Sequence, residues 1–468
     1  MSLHIKETKT LHEQYRKDAA GINPNEAKKM NRAFTWWGKV LTILVIVLCL
    51  VALWHFTARV ERQWLVLGGL MFFFLMTKHV FALFYRPYKA ELTKDYKVTA
   101  IITCYNEKPE SVVSIFENVM ALDYPVHDIL FLDDGSKDPL AYEVARSFAE
   151  AYAENPDAPQ FQIVRFSENR GKRAVMIDGF QLAQGDYMFL LDSDSEILPN
   201  ALTELLRPFE DGKTTSVVGN IGILNRKKNF LTRLQSMTYF GAFQLGRASQ
   251  SVTGDVVVCS GAFSIHKKDF ILEYLDELET DSFAGINLSA GDDRALTTFS
   301  KKSGGKTRYQ SRAYCETEAP EKLIQFLKQR RRWQRSGYLM ALRAIKDIFP
   351  HKIVYLFWNF SEVYFWLIAL VLFVIEVMHR GLYISWIDII LYFCIITYLN
   401  YAQYMLYKPI RFIVAPFHSF FYGLTLMFTR IHAAVTLSDD GWGTRAVADK
   451  GTTKDAEINP AKNAESAA

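Results

Sequence analysis

Apolar residues gather in two blocks that flank a long polar middle. Residues 40–84 and 353–436 are nearly continuous in hydrophobic side chains, and charged residues fill the stretch between them. Val40–Phe56 is uncharged, with Trp36 and Trp37 just ahead of it, and Trp64–Tyr85 is broken only by Lys78 and His79. Each run approximates the ~20 residues that cross the hydrocarbon of a bilayer, and aromatic ends suit its two interfaces. Behind the middle come Val354–Met378, Ile384–Tyr407 and Phe412–Leu437, the last interrupted by Pro416, Gly423, Arg430 and His432. Three plain spans fit this pattern. So do two spans and a broken or re-entrant segment, which membrane depth tolerates where protein buries it or it lines a cavity. Glu362 and Glu376 lie inside an apolar run, where acids are functional candidates, although Glu376 near a helix end equally suits the interface.

The polar middle alternates strand and helix patterns. Lys97–Thr103, Asp128–Leu132, Phe161–Phe166, Tyr187–Leu191 and Ser216–Leu224 are short β-branched or apolar runs. Stretches with helical spacing separate them, the first running through Met120. Such alternation predicts a largely parallel sheet covered by helices on both faces. Ligands of such sheets bind at the carboxyl ends of the strands, and the polar clusters of this sequence fall there.

Composition refines the picture modestly. The 50% hydrophobic and 22% charged averages conceal the segregation, and a net charge of +4 without a basic reading helix argues against nucleic acid as a partner. The five cysteines show no C-x-x-C spacing, which excludes a disulfide framework and a structural zinc site. Eight lysines and arginines precede the first run (Lys6, Lys9, Arg16, Lys17, Lys28, Lys29, Arg32 and Lys39). By the positive-inside rule this leader is cytoplasmic, and two crossings return the chain to the cytoplasm near Arg86. A cleavable signal peptide does not fit a first apolar run that starts after a long polar leader. The expected organisation is a basic cytosolic leader (1–39), two transmembrane helices (40–85), a cytosolic catalytic domain (86–318) and an amphipathic interfacial region (319–350). Membrane or re-entrant segments (351–437) and a cytosolic tail (438–468) complete it.

Three acid clusters carry the candidate chemistry. Asp192-Ser193-Asp194 follows the strand YMFLL, and two carboxylates at i and i+2 can both reach one hard cation, Mg²⁺ or Mn²⁺, shared with substrate phosphates. Asp133-Asp134-Gly135-Ser136 is good turn chemistry in itself, at a strand end where a nucleotide docks. Asn169-Arg170-Gly171-Lys172-Arg173 opens a helix and offers backbone N–H groups and a lysine to a phosphate, or simply a solvated helix start. Gly291-Asp292-Asp293-Arg294 also opens a helix. Its acids serve either as caps or as the general base that an acceptor hydroxyl requires. Gln329-Arg330-Arg331-Arg332-Trp333 lies on a basic amphipathic helix that suits an anionic membrane surface or a diphosphate held by arginine.

In this order, the clusters resemble the processive family-2 glycosyltransferases of GT-A fold, a group with hyaluronan, chitin and cellulose synthases. Within it they are most similar to bacterial and viral hyaluronan synthases. The resemblance spans roughly Tyr85 to Arg445 and includes Tyr105-Asn106-Glu107, Gln250-Ser251-Val252-Thr253-Gly254, Cys259-Ser260-Gly261 and Trp442-Gly443-Thr444-Arg445. It implies a GT-A α/β domain inserted between N- and C-terminal transmembrane helices, in the cell membrane. Tyr105, Glu107 and Asp134 would hold the uridine, and Lys172 the diphosphate or donor sugar. Asp192 and Asp194 would place the cation, Asp194 more directly, and Asp293 would deprotonate the acceptor. Cys259, Ser260, Gly261, Asp292, Gln329 and Trp333 would form the acceptor side. Arg332 would clamp the diphosphate, with Trp442, Thr444 and Arg445 closing over the nucleotide. That closure requires the chain to return to the cytoplasm after Ile384–Tyr407, which favours the re-entrant reading.

The implied donors are UDP-GlcNAc and UDP-GlcA, and the other partners are the growing polysaccharide and the bilayer. No cyclic-dinucleotide domain is evident. Ala262 stands where hyaluronan synthases usually have proline, and the arginines before Trp333 look nearer to chitin synthases, so a chitin-like product is the alternative. A membrane transporter or scaffold that only binds nucleotide is the reading from another class, and three separate acid clusters argue against it.

Overall fold

The computed structural model describes residues 10–16, 22–57, 62–288, 291–349, 352–380, 394 and 397–437. Trp442, Thr444 and Arg445, and half of the Ile384–Tyr407 run, lie outside the described residues.

The middle of the chain is built on one eight-stranded sheet in the order β3-β2-β1-β4-β7-β6-β10-β5. Its strands are β1 Val98–Cys104, β2 Asp128–Asp133, β3 Gln160–Arg165, β4 Tyr187–Asp192, β5 Glu196–Ile197, β6 Thr214–Ile223, β7 Phe263–Lys267 and β10 Lys306–Thr317. A separate hairpin joins β8 Ser282–Phe283 and β9 Ile286–Asn287. Strands β3, β2, β1 and β4 are parallel neighbours, as are β6 and β10. The β7 strand runs antiparallel between β4 and β6, and β5 antiparallel to β10. The mostly parallel α/β sheet expected from the alternation is therefore present. The five expected strands match β1, β2, β3, β4 and β6. The polar sequences of β7 (FSIHK) and β10 (KTRYQSRAYCET) hide the others, because polar side chains such as His266 and Gln310 find partners that only the folded chain brings near.

Both faces of the sheet are buried, and successive residues divide between two cores. Ala100 and Ile102, Ile129 and Phe131, and Phe189 and Leu191 join Val112, Phe116 and Phe148 on one face. The residues between them (Ile101, Leu130, Leu132, Met188 and Leu190) join Val175, Phe180, Leu296 and Phe299 on the other. Each such large side chain contributes roughly 1.5–3 kcal/mol when fully buried, so the register of β1, β2 and β4 is firmly held. That fixes where their carboxyl ends point.

The flanking segments pack on this domain. In the leader, Arg16 pairs with Glu117 at 2.7 Å, and Glu26 accepts hydrogen bonds from Tyr407 at 2.7 Å and Lys408 at 3.1 Å. The apolar blocks form the helices Trp36–Thr57, Arg62–Phe84, Ile353–Arg380 and Ala415–Val435. Among the described residues no single helix is long and apolar enough to cross a membrane. The bent pair Pro24–Phe34 and Trp36–Val51, turned by 46°, meets that requirement jointly by length and composition.

The last apolar run differs from its expected form. Ala415–Val435 is one continuous helix, with Pro416 in its first turn, where a missing N–H costs nothing. Gly423, Arg430 and His432 do not break it. The breaks lie upstream, around Lys408 and Val414, between the short helices Tyr404–Tyr407 and Pro409–Phe412 and the long one. The long helix lies along Leu323–Ile348: Tyr422 meets Phe326 edge-on at 5.4 Å, and Arg335 bonds Thr436 at 3.0 Å. Leu437, just past its end, packs against the core of the catalytic domain.

Candidate active site

A cavity of about 360 Å³ opens where β4, β6 and β10 end. It gathers residues that are far apart in sequence: Lys172, Asp192 and Asp194; Ser260, Gly261, Asp292 and Asp293; and Gln329, Arg332 and Trp333. Ten of the sequence-predicted residues thus share one space.

The donor side is assembled from strand-end loops. After β1, Asn106 adopts the left-handed conformation (φ 53°) that asparagine tolerates. Its backbone N–H donates to Ser136 Oγ at 2.8 Å, and its side chain accepts from the Lys137 N–H at 2.9 Å. The loops bearing Tyr105-Asn106-Glu107 and Asp133-Asp134 are thereby clasped together. Asp134 is buried and does not line the cavity. Its carboxylate accepts from the Asn169 side chain and from the Arg170 and Gly171 N–H groups at 2.7–3.1 Å, so it shapes the turn that presents Lys172. Lys172 in turn pairs with Asp192 at 2.5 Å.

Asp194 sits in a crowd of like charge. Burial, then Asp192 and then Glu107 raise its pKa to about 7, while a hydrogen bond from Thr317 at 3.2 Å opposes the shift and Glu318 adds to it. Glu107 thus stands near Asp192 and Asp194 without lining the cavity. Among the described residues no group of three or more acidic, histidine or cysteine side chains forms a metal cage of its own. An excess of carboxylate held by two strand-end aspartates fits instead the mode in which one or two carboxylates and substrate phosphates share a cation.

Asp292 and Asp293 occupy the first turn of the helix Asp292–Lys302, capped by Gly291 at φ 98°. The two have different surroundings. Asp292 is buried, accepts from Arg173 Nε at 2.6 Å through one carboxylate oxygen and so anchors the helix start, while still lining the cavity. Asp293 reaches the cavity. Burial raises its pKa, with Arg294 opposing and Asp292 adding to the rise. A carboxyl held above its ordinary range, still facing substrate, suits proton acceptance from a hydroxyl.

Cys259 is the residue set furthest from its expected place. Its side chain is fully buried in the core and does not line the cavity. Burial pushes its thiol up to about 12, and only its neighbours Ser260 and Gly261 face substrate. Gly261 comes close to the donor lysine: an added Cβ would stand 3.9 Å from Lys172 Nζ. On the floor, Arg330 stacks 4.4 Å from the Trp333 ring and is itself buried, fixing the indole plane. Sequence reasoning missed Thr317 and Glu318, because β10 was not recognised as a strand. It also missed Arg247, which lines the cavity from the π-helical turn Gly241–Arg247; a polar residue among apolar ones was the only signal. Such turns often mark functional sites.

Comparison with known proteins agrees with this geometry. Residues 99–275 match the family model for glycosyl transferase family 2. The hyaluronan synthase of Streptococcus pyogenes serotype M1 is 32% identical over 384 residues, covering 81% of this chain and 90% of its own length. An N-acetylglucosaminyltransferase of Mesorhizobium japonicum is 31% identical over 252 residues, covering 53% of this chain and 58% of its own. Among solved structures, the mannosyltransferase of Pyrobaculum calidifontis, in complex with GDP-Man and Mn²⁺, superposes with a TM-score of 0.52. It is 17% identical, over 84% of this chain and 99% of that one, and so shares the fold. With nearly the full length of a hyaluronan synthase matched at that identity, the chain belongs to glycosyltransferase family 2, as a processive glycosyltransferase.

Proposed function

We propose that the protein polymerises UDP-GlcNAc and UDP-GlcA into hyaluronan, with inversion at each anomeric carbon, and passes the polymer through its own membrane helices. The observation that carries the chemistry is the single cavity that Asp192, Asp194 and Asp293 line together. In this reading Lys172 and Arg332 hold the diphosphate, while Tyr105, Glu107 and the Asp134 turn cradle the uridine. Trp442, Thr444 and Arg445 close over the nucleotide; Leu437, packed on the catalytic domain, brings the chain to the right side for that. Mg²⁺ or Mn²⁺ held by Asp194 and Asp192 would neutralise the diphosphate, and the carboxylate crowding around Asp194 and the Mn²⁺ bound to the fold relative support it. The acceptor sugar rests on Trp333, near Gln329, Ser260 and Gly261. Asp293 takes the proton of its hydroxyl, whose oxygen attacks the anomeric carbon as the bond to the diphosphate breaks, and UDP leaves toward Lys172 and Arg332. Lowering the barrier this way uses positioning and general-base catalysis together.

Two features support the membrane part. Apolar side chains point outward along the flanking helices, among them Leu44, Val47 and Val51, Val371 and Val374, and Phe420 and Phe428. A face of that kind calls for a nonpolar surrounding. Inside the same helices, Glu362 bonds Arg247 at 3.0 Å and Gln250 at 2.6 Å, so a polar lining continues from the catalytic cavity into the helical region. The catalytic domain would then lie on the cytoplasmic side of the cell membrane, with the chain returning there after its last helix. A tag after Ala468 accessible only from outside intact cells would sink that topology.

A chitin-like polymer is the second reading, favoured by Ala262, by the arginines at 330 and 331 and by the similarity to an N-acetylglucosaminyltransferase. The deciding experiment incubates purified protein with each UDP-sugar alone and in pairs, followed by hyaluronidase digestion. High-mass, hyaluronidase-sensitive product from the UDP-GlcNAc/UDP-GlcA pair is expected; polymer from UDP-GlcNAc alone overturns the hyaluronan assignment.

A further inference from the structure

Beside the cavity lies a set of buried charges that the reaction does not consume. Asp281 is 2% exposed and sits just ahead of the β8–β9 hairpin. One of its carboxylate oxygens accepts from Arg173 Nη1 at 3.2 Å, and the other contacts the guanidinium of Arg343. Arg173 follows Lys172 at the start of the donor-side helix, and its Nε holds Asp292, the neighbour of Asp293, at 2.6 Å. Arg343 belongs to Leu323–Ile348, the helix that carries Gln329, Arg332 and Trp333, and is fixed there by Asp347 at 3.0 Å. A single buried carboxylate therefore ties together the helix that presents the donor lysine, the turn that presents the base and the helix that forms the acceptor floor.

We propose that Asp281 is a positioning residue that sets the acceptor helix relative to the donor lysine and Asp293, by way of Arg343 on one side and Arg173 on the other. The proposal rests on the transferase reading of the cavity. The physical reason is directional. A buried carboxylate shared by two guanidinium groups is costly to leave half-satisfied, so both arginines, and the helices that bear them, are held at fixed distance. The β8–β9 hairpin offers no large core of its own, and the other polar link from Arg343, to Glu277 at 3.4 Å and on to Lys302 at 2.7 Å, reaches the far end of the Asp292–Lys302 helix and not Arg173. Misplacement of reacting groups by about 1 Å costs on the order of 10²-fold in rate, so loss of the tether is expected to cost turnover far more than donor KM, because Lys172 stays paired with Asp192.

The test compares Asp281→Asn, Arg343→Gln and the double variant in the full-length membrane protein. Rates are normalised to folded protein and measured with whichever donors the wild type uses. Each single variant is expected to lower kcat for elongation roughly 10- to 100-fold, with the KM for donor held within about threefold. The double variant should be no slower than the slower single, because all three remove the same linkage. Asp281→Glu should recover part of the loss. Additive losses in the double variant, or a donor KM that rises in step with the fall in kcat, would overturn the proposal. If Asp281→Asn does not fold, Arg343→Gln against Arg343→Lys decides the question, and equal activity of those two would equally refute it. A wild-type protein that makes no polymer would instead refute the transferase reading itself.

Discussion

Gly291 is the point at which the Leu323–Ile348 helix touches the turn that presents Asp293, the proposed base, and replacing it by alanine tests how tightly the two are fitted. Gly291 has φ 98°, and an added Cβ would stand 2.8 Å from Ser336 Cβ and 3.1 Å from Ser336 Oγ. Two costs follow. An L-residue forced into positive φ costs roughly 1–3 kcal/mol, and overpacking against a helix that cannot yield costs about 1–3 kcal/mol more. Gly291→Ala should therefore destabilise the catalytic domain by about 2–6 kcal/mol. It should also slow synthesis, because the helix bearing Trp333 is pushed away from Asp293. Ser336→Gly removes the clashing Cβ and leaves the backbone strain in place. Thermal or denaturant unfolding of both singles and the double variant separates the parts: a favourable coupling of about 1–3 kcal/mol is expected. Additivity within about 0.5 kcal/mol would mean that the helix and the turn do not press on one another, and the reasoning would fail.

Other outcomes follow from the same geometry. Asp293→Asn should lower polymer synthesis by roughly 10²–10⁴-fold while nucleotide binding and the unfolding midpoint persist; undiminished synthesis would remove Asp293 from the role of base. Chelation with EDTA should stop synthesis, and Mn²⁺ or Mg²⁺ should restore it in the wild type and not in Asp194→Asn; metal-independent synthesis would refute the shared-cation reading. His266 is fully buried between Ser216 and Ser264 at 2.8 and 3.0 Å, and burial lowers its pKa to about 3. Its folded pKa lies below the ordinary 6.5, so its contribution is intact above about pH 6.5. As the pH falls from there toward 3, about 1.4 kcal/mol per pH unit is lost. The unfolding midpoint of wild type should consequently fall more steeply between pH 6 and 4.5 than that of His266→Gln, and parallel slopes would count against it.

The sequence by itself determined the local elements and their chemistry. Alternation of buried runs and helical stretches specifies β1, β2, β3, β4 and β6, because a sheet covered on both faces writes itself as short apolar strings. The acid pairs at 133–134, 192–194 and 292–293 are visible because polar residues at strand ends and helix starts interrupt those strings. The tertiary structure alone decided which members of each pair are available. Asp292 and Asp293 are adjacent and chemically identical in sequence and both line the cavity, yet Arg173 pairs with the first, and no spacing encodes a partner 119 positions away. Asp134 reads as a nucleotide ligand, and only the folded chain shows that it also shapes the loop of Lys172, by accepting from three donors of residues 169–171. The polar strands β7 and β10 were illegible for the same reason: Ser264 and His266 bond one another and Ser216, and Gln310 bonds Tyr88 and Glu204, partners that only the folded chain supplies. Continuity of the last helix also came from packing. Gly423 weakens a helix locally, and the Leu323–Ile348 helix beside it holds the segment in one piece.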